Sequence, residues 1–318
     1  MSRAALAVAL LVAACGALAQ TWPGKPIRLV LPYSAGTTTD VLGRLYAQKL
    51  AENLSQAVIV ENKAGAGGNI AGEAVARSAP DGYTLTLSTS AVHATNPALY
   101  GKLPFDTIKD FSHVTFLASA PNMLAVNATV PAKNMAELIA YAKANPGKLT
   151  YISAGSGTSP HMAGELLRSM AGIDITHVPY KNITQGFADL MGGQVSMTFY
   201  HVPVIYPFVK DGRLRALGVA TRTRSALAPE VPPIADTLPG FEIRPWWGVS
   251  GPAGLPADVV DRLYNATATI LKDADTRQRY TTLGLEITQM TVREFNEFTV
   301  TELAKWTKIV KDSGAKVD

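Results

Sequence analysis

The feature that most constrains this chain is a recurring order: a short apolar run, a loop of small residues, then an amphipathic segment. Ile27-Arg28-Leu29-Val30-Leu31 ends at Pro32 and reads as a buried strand. The loop Pro32 to Asp40 follows. A helical pattern then runs from about Val41 to Asn53, with Leu42, Leu45, Tyr46, Leu50 and Leu54 on one face. Ala57 to Val60 is a second strand, and Gly65 to Gly68 form a loop into a helix carrying Ile70, Ala74, Val75 and Ala76. Pro80-Asp81-Gly82 turns the chain into a third strand, Tyr83 to Leu87. Strand–helix–strand–helix–strand predicts an α/β fold with a mostly parallel sheet and right-handed crossovers.

The same order restarts after Leu117. Leu124 to Val126, Leu149 to Ser153, Thr176 to Val178, Val195 to Phe199 and Arg215 to Ala220 read as strands. Between them, Asn134 with Glu137 resembles a capping box opening a helix to Asn145. Ser159-Pro160 caps a helix ending near Ala171-Gly172, and Thr184 to Met191 forms another. Ala228 to Pro239, with four prolines, reads as a connection. Phe241 to Val249 returns as a strand, and two amphipathic helices finish the chain. The last opens with the capping box Thr291-Val292-Arg293-Glu294 and carries Phe295, Phe298, Leu303, Trp306 and Val310 at helical spacing.

With 318 residues, the chain is long enough for two cores. The expected division is a signal peptide over 1–19, one lobe from 20–120 and 240–318, and a second from 121–239. Crossings near Phe116 to Asn122 and Pro239 to Pro245 make two short linkers suited to hinge bending. The chain is 47% hydrophobic and 17% charged, which excludes a disordered chain, a coiled coil and a collagen-like polymer. Net charge is +4 with no run of Lys or Arg, so a nucleic-acid partner is not expected, whereas a mild positive surplus suits small anions.

The first residues read as an address. Arg3 is a minimal charged start, Ala4 to Ala14 are apolar, and Ala17-Leu18-Ala19 is an A-x-A cleavage site. That stretch is shorter than the roughly 20 residues a membrane span needs. The expected location is therefore the periplasm, reached by a cleavable leader. An alternative makes Val12-Ala13-Ala14-Cys15 a lipoprotein box with Cys15 acylated. The A-x-A site, just before the folded pattern begins, favours cleavage. Cys15 is the sole cysteine, so the mature chain holds no disulfide.

Two loops stand out. Each follows a strand, is built from Gly, Ala, Ser and Thr, and feeds a helix: Tyr33-Ser34-Ala35-Gly36-Thr37-Thr38-Thr39, and Ser153-Ala154-Gly155-Ser156-Gly157-Thr158-Ser159 before Pro160 and His161. A helix N-terminus exposes unpaired N–H groups and about half a positive charge. Small residues let an anion approach that backbone, and hydroxyls add donors. Ser and Thr also cap helices for structural reasons alone, so one such loop says little. Two, one per expected lobe, point to a clamp across a cleft. Other motifs are weaker. Gly65-Ala66-Gly67-Gly68-Asn69-Ile70 departs from the dinucleotide fingerprint, and the five histidines (His93, His113, His161, His177 and His201) are scattered without metal-ligand spacing, so no cofactor or metal is expected. Ala154-Gly155-Ser156-Gly157-Thr158 is not a nucleophile elbow, which leaves a Ser156/His161 hydrolase a remote alternative.

Several blocks, in order, resemble the periplasmic receptors of tripartite tricarboxylate transporters, the Bug or TctC-like family. They are Trp22-Pro23-Gly24-Lys25-Pro26-Ile27-Arg28, Val60-Glu61-Asn62-Lys63-Ala64-Gly65-Ala66-Gly67-Gly68, Pro80-Asp81-Gly82-Tyr83-Thr84-Leu85, Ala144-Asn145-Pro146-Gly147-Lys148-Leu149, His177-Val178-Pro179-Tyr180-Lys181, Gly192-Gly193-Gln194-Val195 and Lys305-Trp306. The resemblance implies a two-lobed periplasmic binding protein of type II-like architecture, not an enzyme. Such a receptor closes on a small carboxylate and presents it to membrane transporter subunits, here acting as a monomer. A ligand-sensing partner in signalling is an alternative on the same fold.

The family's carboxylate grip, carried over by position, falls on Tyr33 to Asp40 (Tyr33, Ser34, Ala35, Gly36, Thr37, Thr38, Asp40) and on Ala154, Gly155, Ser156, Gly157, Thr158 and His161. Thr37 stands where the family commonly has Gly, narrowing the pocket floor or adding a donor. Phe199-Tyr200-His201 stands where relatives usually carry Phe-Asp-Asn, removing a fixed negative charge that an amino-acid ligand would need. Tyr200 and His201 offer instead an aromatic wall and a donor that protonation turns into a cation. Strand alternation puts Trp246 and Trp247 on opposite faces, so at most one meets a ligand; since the family commonly has Trp at position 246, the resemblance makes Trp247 the cleft candidate. Ser90 is a lesser contact. These residues point to an aromatic mono- or dicarboxylate, terephthalate-like, with its far carboxylate near His201. An aliphatic acid such as citrate or adipate is the alternative.

Overall fold

The computed structural model describes residues 22–317. The expected leader, its A-x-A site and Cys15 lie outside the described residues. The chain runs through strand β1 (Ile27–Leu31), helix α1 (Thr38–Leu54), β2 (Val58–Asn62), α2 (Asn69–Ala76), β3 (Thr84–Thr89), a π-helical turn continuing into α3 (Asn96–Leu99), β4 (Phe111–Ser119) and β5 (Asn122–Asn127). It continues through α4 (Met135–Ala144), β6 (Leu149–Ser153), α5 (Ser159–Ala171), β7 (Ile175–Pro179), α6 (Ile183–Met191), β8 (Met197–His201), α7 (Val202–Lys210) and β9 (Leu214–Val219). After a long connection come β10 (Trp246–Pro252), α8 (Ala257–Lys272), α9 (Ala274–Thr282), β11 (Glu286–Ile287) and α10 (Val292–Ser313).

The strands form two sheets. One has six strands in the order β11-β4-β10-β3-β1-β2, the other five in the order β7-β6-β8-β5-β9. Each sheet with its helices makes one lobe of an α/β fold. The pairs β1–β2, β1–β3, β6–β7 and β6–β8 are parallel, as the strand–helix alternation predicts. The sheets are nevertheless mixed, because β10 runs antiparallel to β3 and β4, and β5 antiparallel to β8 and β9. The cause is the chain's path. It leaves the six-stranded sheet at the end of β4, enters the other at β5, and re-enters the first along β10 beside β4. Ala120 N–H donates to Pro245 O at 3.1 Å, tying the two crossings together.

Local differences from the sequence pattern have packing causes. Ile70 lies on the exposed face of α2, while Ala71, Gly72 and Val75 are buried. Phe241 to Pro245 is apolar because Phe241 and Ile243 are buried in the core, not because it pairs as a strand. Three helices, not two, follow β10, and Leu303 is only half-buried. Trp246 and Trp306 both donate to the buried Glu302 carboxylate, at 2.9 and 3.0 Å, which fixes α10 against the six-stranded sheet. The same helix reaches the other lobe, where Arg168 of α5 donates to Ser313 O at 3.2 Å.

Candidate functional site

The first small-residue loop joins the end of β1 to α1. Thr37 is the N-cap: its hydroxyl accepts from Asp40 N–H at 3.3 Å and donates to Ser34 O at 2.9 Å. The Asp40 carboxylate accepts from Gly36 N–H (3.0 Å), Arg44 Nε (3.0 Å) and Asn62 Nδ2 (2.9 Å). Burial raises its pKa, but Arg44, the Gly36 amide and Asn62 outweigh this and lower it. Asp40 therefore organises the loop within its own lobe and, among the described residues, lines neither cleft cavity. Gly36, at φ +82°, makes the turn, and Gly36 and Ala35 are exposed.

The second loop is built alike. Ser153 Oγ accepts from Gly155 N–H at 2.9 Å, Thr158 Oγ donates to Gly155 O at 2.6 Å, and Thr158 is the N-cap of α5. His161 is buried in that helix, accepts from Gly157 N–H at 3.1 Å and packs against His177 with ring centroids 4.3 Å apart. It braces the loop and lines neither cavity. Ser156 and Gly157 also lie off the cavity walls and form the contact between lobes. Tyr100 Oη donates to Ser156 O at 3.4 Å, and a Cβ on Gly157 would collide with Asn96 Oδ1. These contacts hold the two lobes against each other.

Between them lies an inner cavity of about 50 Å³. Thr37, Thr38 and Thr39 of α1 face Thr158, Ser159 and Pro160 of α5 across it, with Ala154 beside them. Tyr33, Thr89, Ser90, Ala91, Tyr200, His201, Pro245, Trp246 and Trp247 complete the wall. The first N–H groups of a helix have no intrahelical partner. Here those of Thr38, Thr39 and Ser159 sit at a wall that carries no Lys, Arg, Asp or Glu.

His201 ends β8, and its Nδ1 lies 2.7 Å from Thr38 Oγ1, a buried hydrogen bond between the lobes. Its Nε2 is buried with no partner among the described residues. Burial pushes the imidazole pKa down to about 3, so the ring is neutral and is not the cation its position suggested. Nor does it sit at the far end of the cleft, because Thr38 places it beside the first helix N-terminus. Thr38 also reaches the Tyr200 phenol. The His201 ring meets Trp247 edge-on at 5.3 Å, and Trp247 Nε1 donates to Thr39 Oγ1 at 2.8 Å. Trp246 turns the opposite way, into Phe116, Phe295 and Phe298. Tyr33 Oη, 3.5 Å from Thr89 Oγ1, is pushed up to a pKa of about 12 by burial and stays a neutral phenol.

A second, outer cavity of about 450 Å³ adjoins the inner one. Tyr33, Thr37 and Ala154 line both, and Ser34, Gly155, Ala64 to Gly68, Pro179, Tyr180 and Lys181 complete the outer one. Of the residues expected from sequence, Tyr33, Thr37, Thr38, Ser90, Ala154, Thr158, Tyr200, His201 and Trp247 therefore converge on the inner cavity, and Ser34 and Gly155 on the outer. Thr39 and Ser159 lie inside the two loops singled out from sequence; sequence reasoning missed Thr89 and the Gly65–Gly68 and Tyr180-Lys181 segments. The last two were visible as motif blocks carrying no assigned role.

The model of the tripartite tricarboxylate transporter family receptor, TctC, matches residues 42–315. This chain belongs to that family. The receptor is 31% identical to protein BugT of Bordetella pertussis, over 100% of this chain and 99% of the relative. Among solved structures it resembles Rpa4515 of R. palustris, determined with adipate, at a TM-score of 0.87 and 34% identity, covering 92% of this chain and 98% of that one. MatC of Rhodopseudomonas palustris, with bound malate, gives 0.85 and 30% identity, covering 91% and 100%. The family is one of solute-binding receptors, so the chain is not an enzyme and the Ser156/His161 hydrolase reading falls. Among the described residues no helix is long and apolar enough to cross a membrane, and no cluster of side chains has the makings of a metal site.

Proposed function

We propose that this receptor works in the periplasm, captures a small carboxylate between its lobes and hands it to the membrane subunits of a tripartite transporter. Closure would move residues 121–239 against 20–120 and 240–318. The observation that carries the reading is a closed cavity where two helix N-termini from opposite lobes meet with no basic side chain. Such a wall offers oriented N–H donors and partial positive charge to one anionic group. A neutral imidazole carries one N–H. In the tautomer in which Thr38 Oγ1 donates to Nδ1, that proton falls on Nε2, a further donor for the same carboxylate. The absence of an acidic side chain leaves a ligand ammonium unpaired, which disfavours amino acids.

The Tyr33 ring, on the wall of both cavities, and the Tyr180 ring on the outer one favour an aromatic acid, terephthalate-like, over an aliphatic one. Calorimetry on the mature chain with terephthalate, benzoate, adipate, malate and citrate tests both levels. Stoichiometric binding of terephthalate or benzoate ahead of the others is expected. Preference for citrate, malate or adipate over both aromatic acids overturns the aromatic choice, and binding of none of the five overturns the carboxylate reading.

A further inference from the structure

The inner cavity holds only part of a ligand. Its volume of about 50 Å³ equals roughly three to five water molecules, enough for a carboxylate but not for the body of a diacid. Whatever carries that carboxylate must continue past Tyr33, Thr37 and Ala154 into the outer cavity of about 450 Å³. The outer cavity's floor is backbone: Gly65, Gly67 and Gly68 all have positive φ, and a Cβ on Gly155 would meet nothing within 4 Å. Among the described residues, Lys181 is the only charged side chain on the walls of either cavity.

The surroundings leave that charge uncompensated. Lys63, which precedes the glycine loop, is paired with Glu61 at 2.8 Å. Of the two nearest acids along the chain in the same lobe, Asp174 precedes β7, at the strand end opposite Lys181, and Asp189 is held by the Tyr180 phenol at 2.7 Å and Gln185 at 2.8 Å. No ion pair of Lys181 occurs among the described residues. Lys181 follows β7 and precedes α6, beyond the carboxyl end of a parallel strand, where open α/β sheets place their ligands.

We infer that Lys181 receives the second carboxylate of a dicarboxylate whose first is buried between α1 and α5. The inference rests on the carboxylate reading above and deepens it to a preference for diacids. The two ends are held by different physics. The buried end meets fixed amide dipoles between α1 and α5, and the outer end meets a solvated ammonium at the mouth. Because Lys181 is exposed, its contribution is modest and falls with salt.

The test is calorimetry on the mature chain with two matched pairs, terephthalate against benzoate and adipate against hexanoate, for the native receptor, Lys181→Met and Lys181→Arg. Lys181→Met is expected to weaken each diacid about five- to tenfold and each monoacid less than twofold, and Lys181→Arg to restore diacid binding. Equal losses for diacid and monoacid, or no loss for the diacids, overturn the inference while the receptor reading stands. A native receptor that binds none of the four acids overturns the carboxylate reading itself.

Discussion

Acidification from pH 7 to pH 5 should destabilise the ligand-free receptor through its buried histidines. His201 is held at a pKa of about 3 and His113 at about 4, both by burial. His93 is lowered too, by burial and by the nearby His113 ring. In the unfolded chain each returns to about 6.5. A base whose folded pKa is depressed stabilises fully above its unfolded value, and that stability is lost as pH falls toward the folded value. At pH 5 unfolding lets His201 and His113 each bind a proton that the native protein refuses. Linkage sets this at about 2 kcal/mol per residue relative to pH 7, so about 4 kcal/mol for the pair. At roughly 2 °C per kcal/mol for a chain of this size, the unfolding temperature should fall by about 8 °C, with His93 adding in the same direction. Carboxylates titrate lower, so this window reports histidine. Scanning calorimetry at both pH values on the native chain and His201→Asn checks it. The variant should lose about half of the pair's drop, whatever its absolute stability. An unchanged drop in the variant would refute the claim that His201 is buried neutral.

Two further perturbations act on closure and on the frame. Gly157→Ala sets a methyl against Asn96 at a backbone of φ +86°. It should weaken ligand binding at least tenfold while shifting the free protein's unfolding by only about 1 kcal/mol, and full affinity in titration would show that ligand binds without this contact. Glu302→Leu strands two buried indole N–H groups, those of Trp246 and Trp306. A loss of about 2–6 kcal/mol in urea unfolding is expected, and a loss below 1 kcal/mol would mean the indoles find other acceptors.

The parts of the site legible in the sequence are those whose cause is local. A strand end, a run of Gly, Ser and Thr, and a helix start occupy a few consecutive residues, so Thr37, Thr38 and Thr158 could be placed from composition and capping alone. Strand direction could not. Val249 pairs antiparallel with Thr115, more than 130 positions earlier, because the chain crosses between lobes twice, and nothing near either residue encodes that. His201 shows the same limit in chemical form. Its position at a strand end was readable, but its charge was not, since its neutrality comes from burial among elements far apart in sequence, Thr38 lying 163 residues away. Asp40 misled for the opposite reason. An acid in an anion-binding loop invites a role toward ligand, yet Arg44 and Asn62 claim it within its own lobe.

Using amides and a neutral imidazole rather than an arginine also fits a receptor that must close and reopen. A guanidinium buried in the empty closed cavity would carry a desolvation penalty of several kcal/mol, and closing without ligand would be opposed by that charge. It would also hold a bound anion by a strong ion pair at the moment of release. Oriented dipoles avoid both difficulties. They remain partly positive whether or not ligand is present, and they cost little to bury because α1 and α5 form anyway. The full charge, Lys181, stays at the mouth in water, where it attracts an anion without having to be dehydrated when the lobes shut.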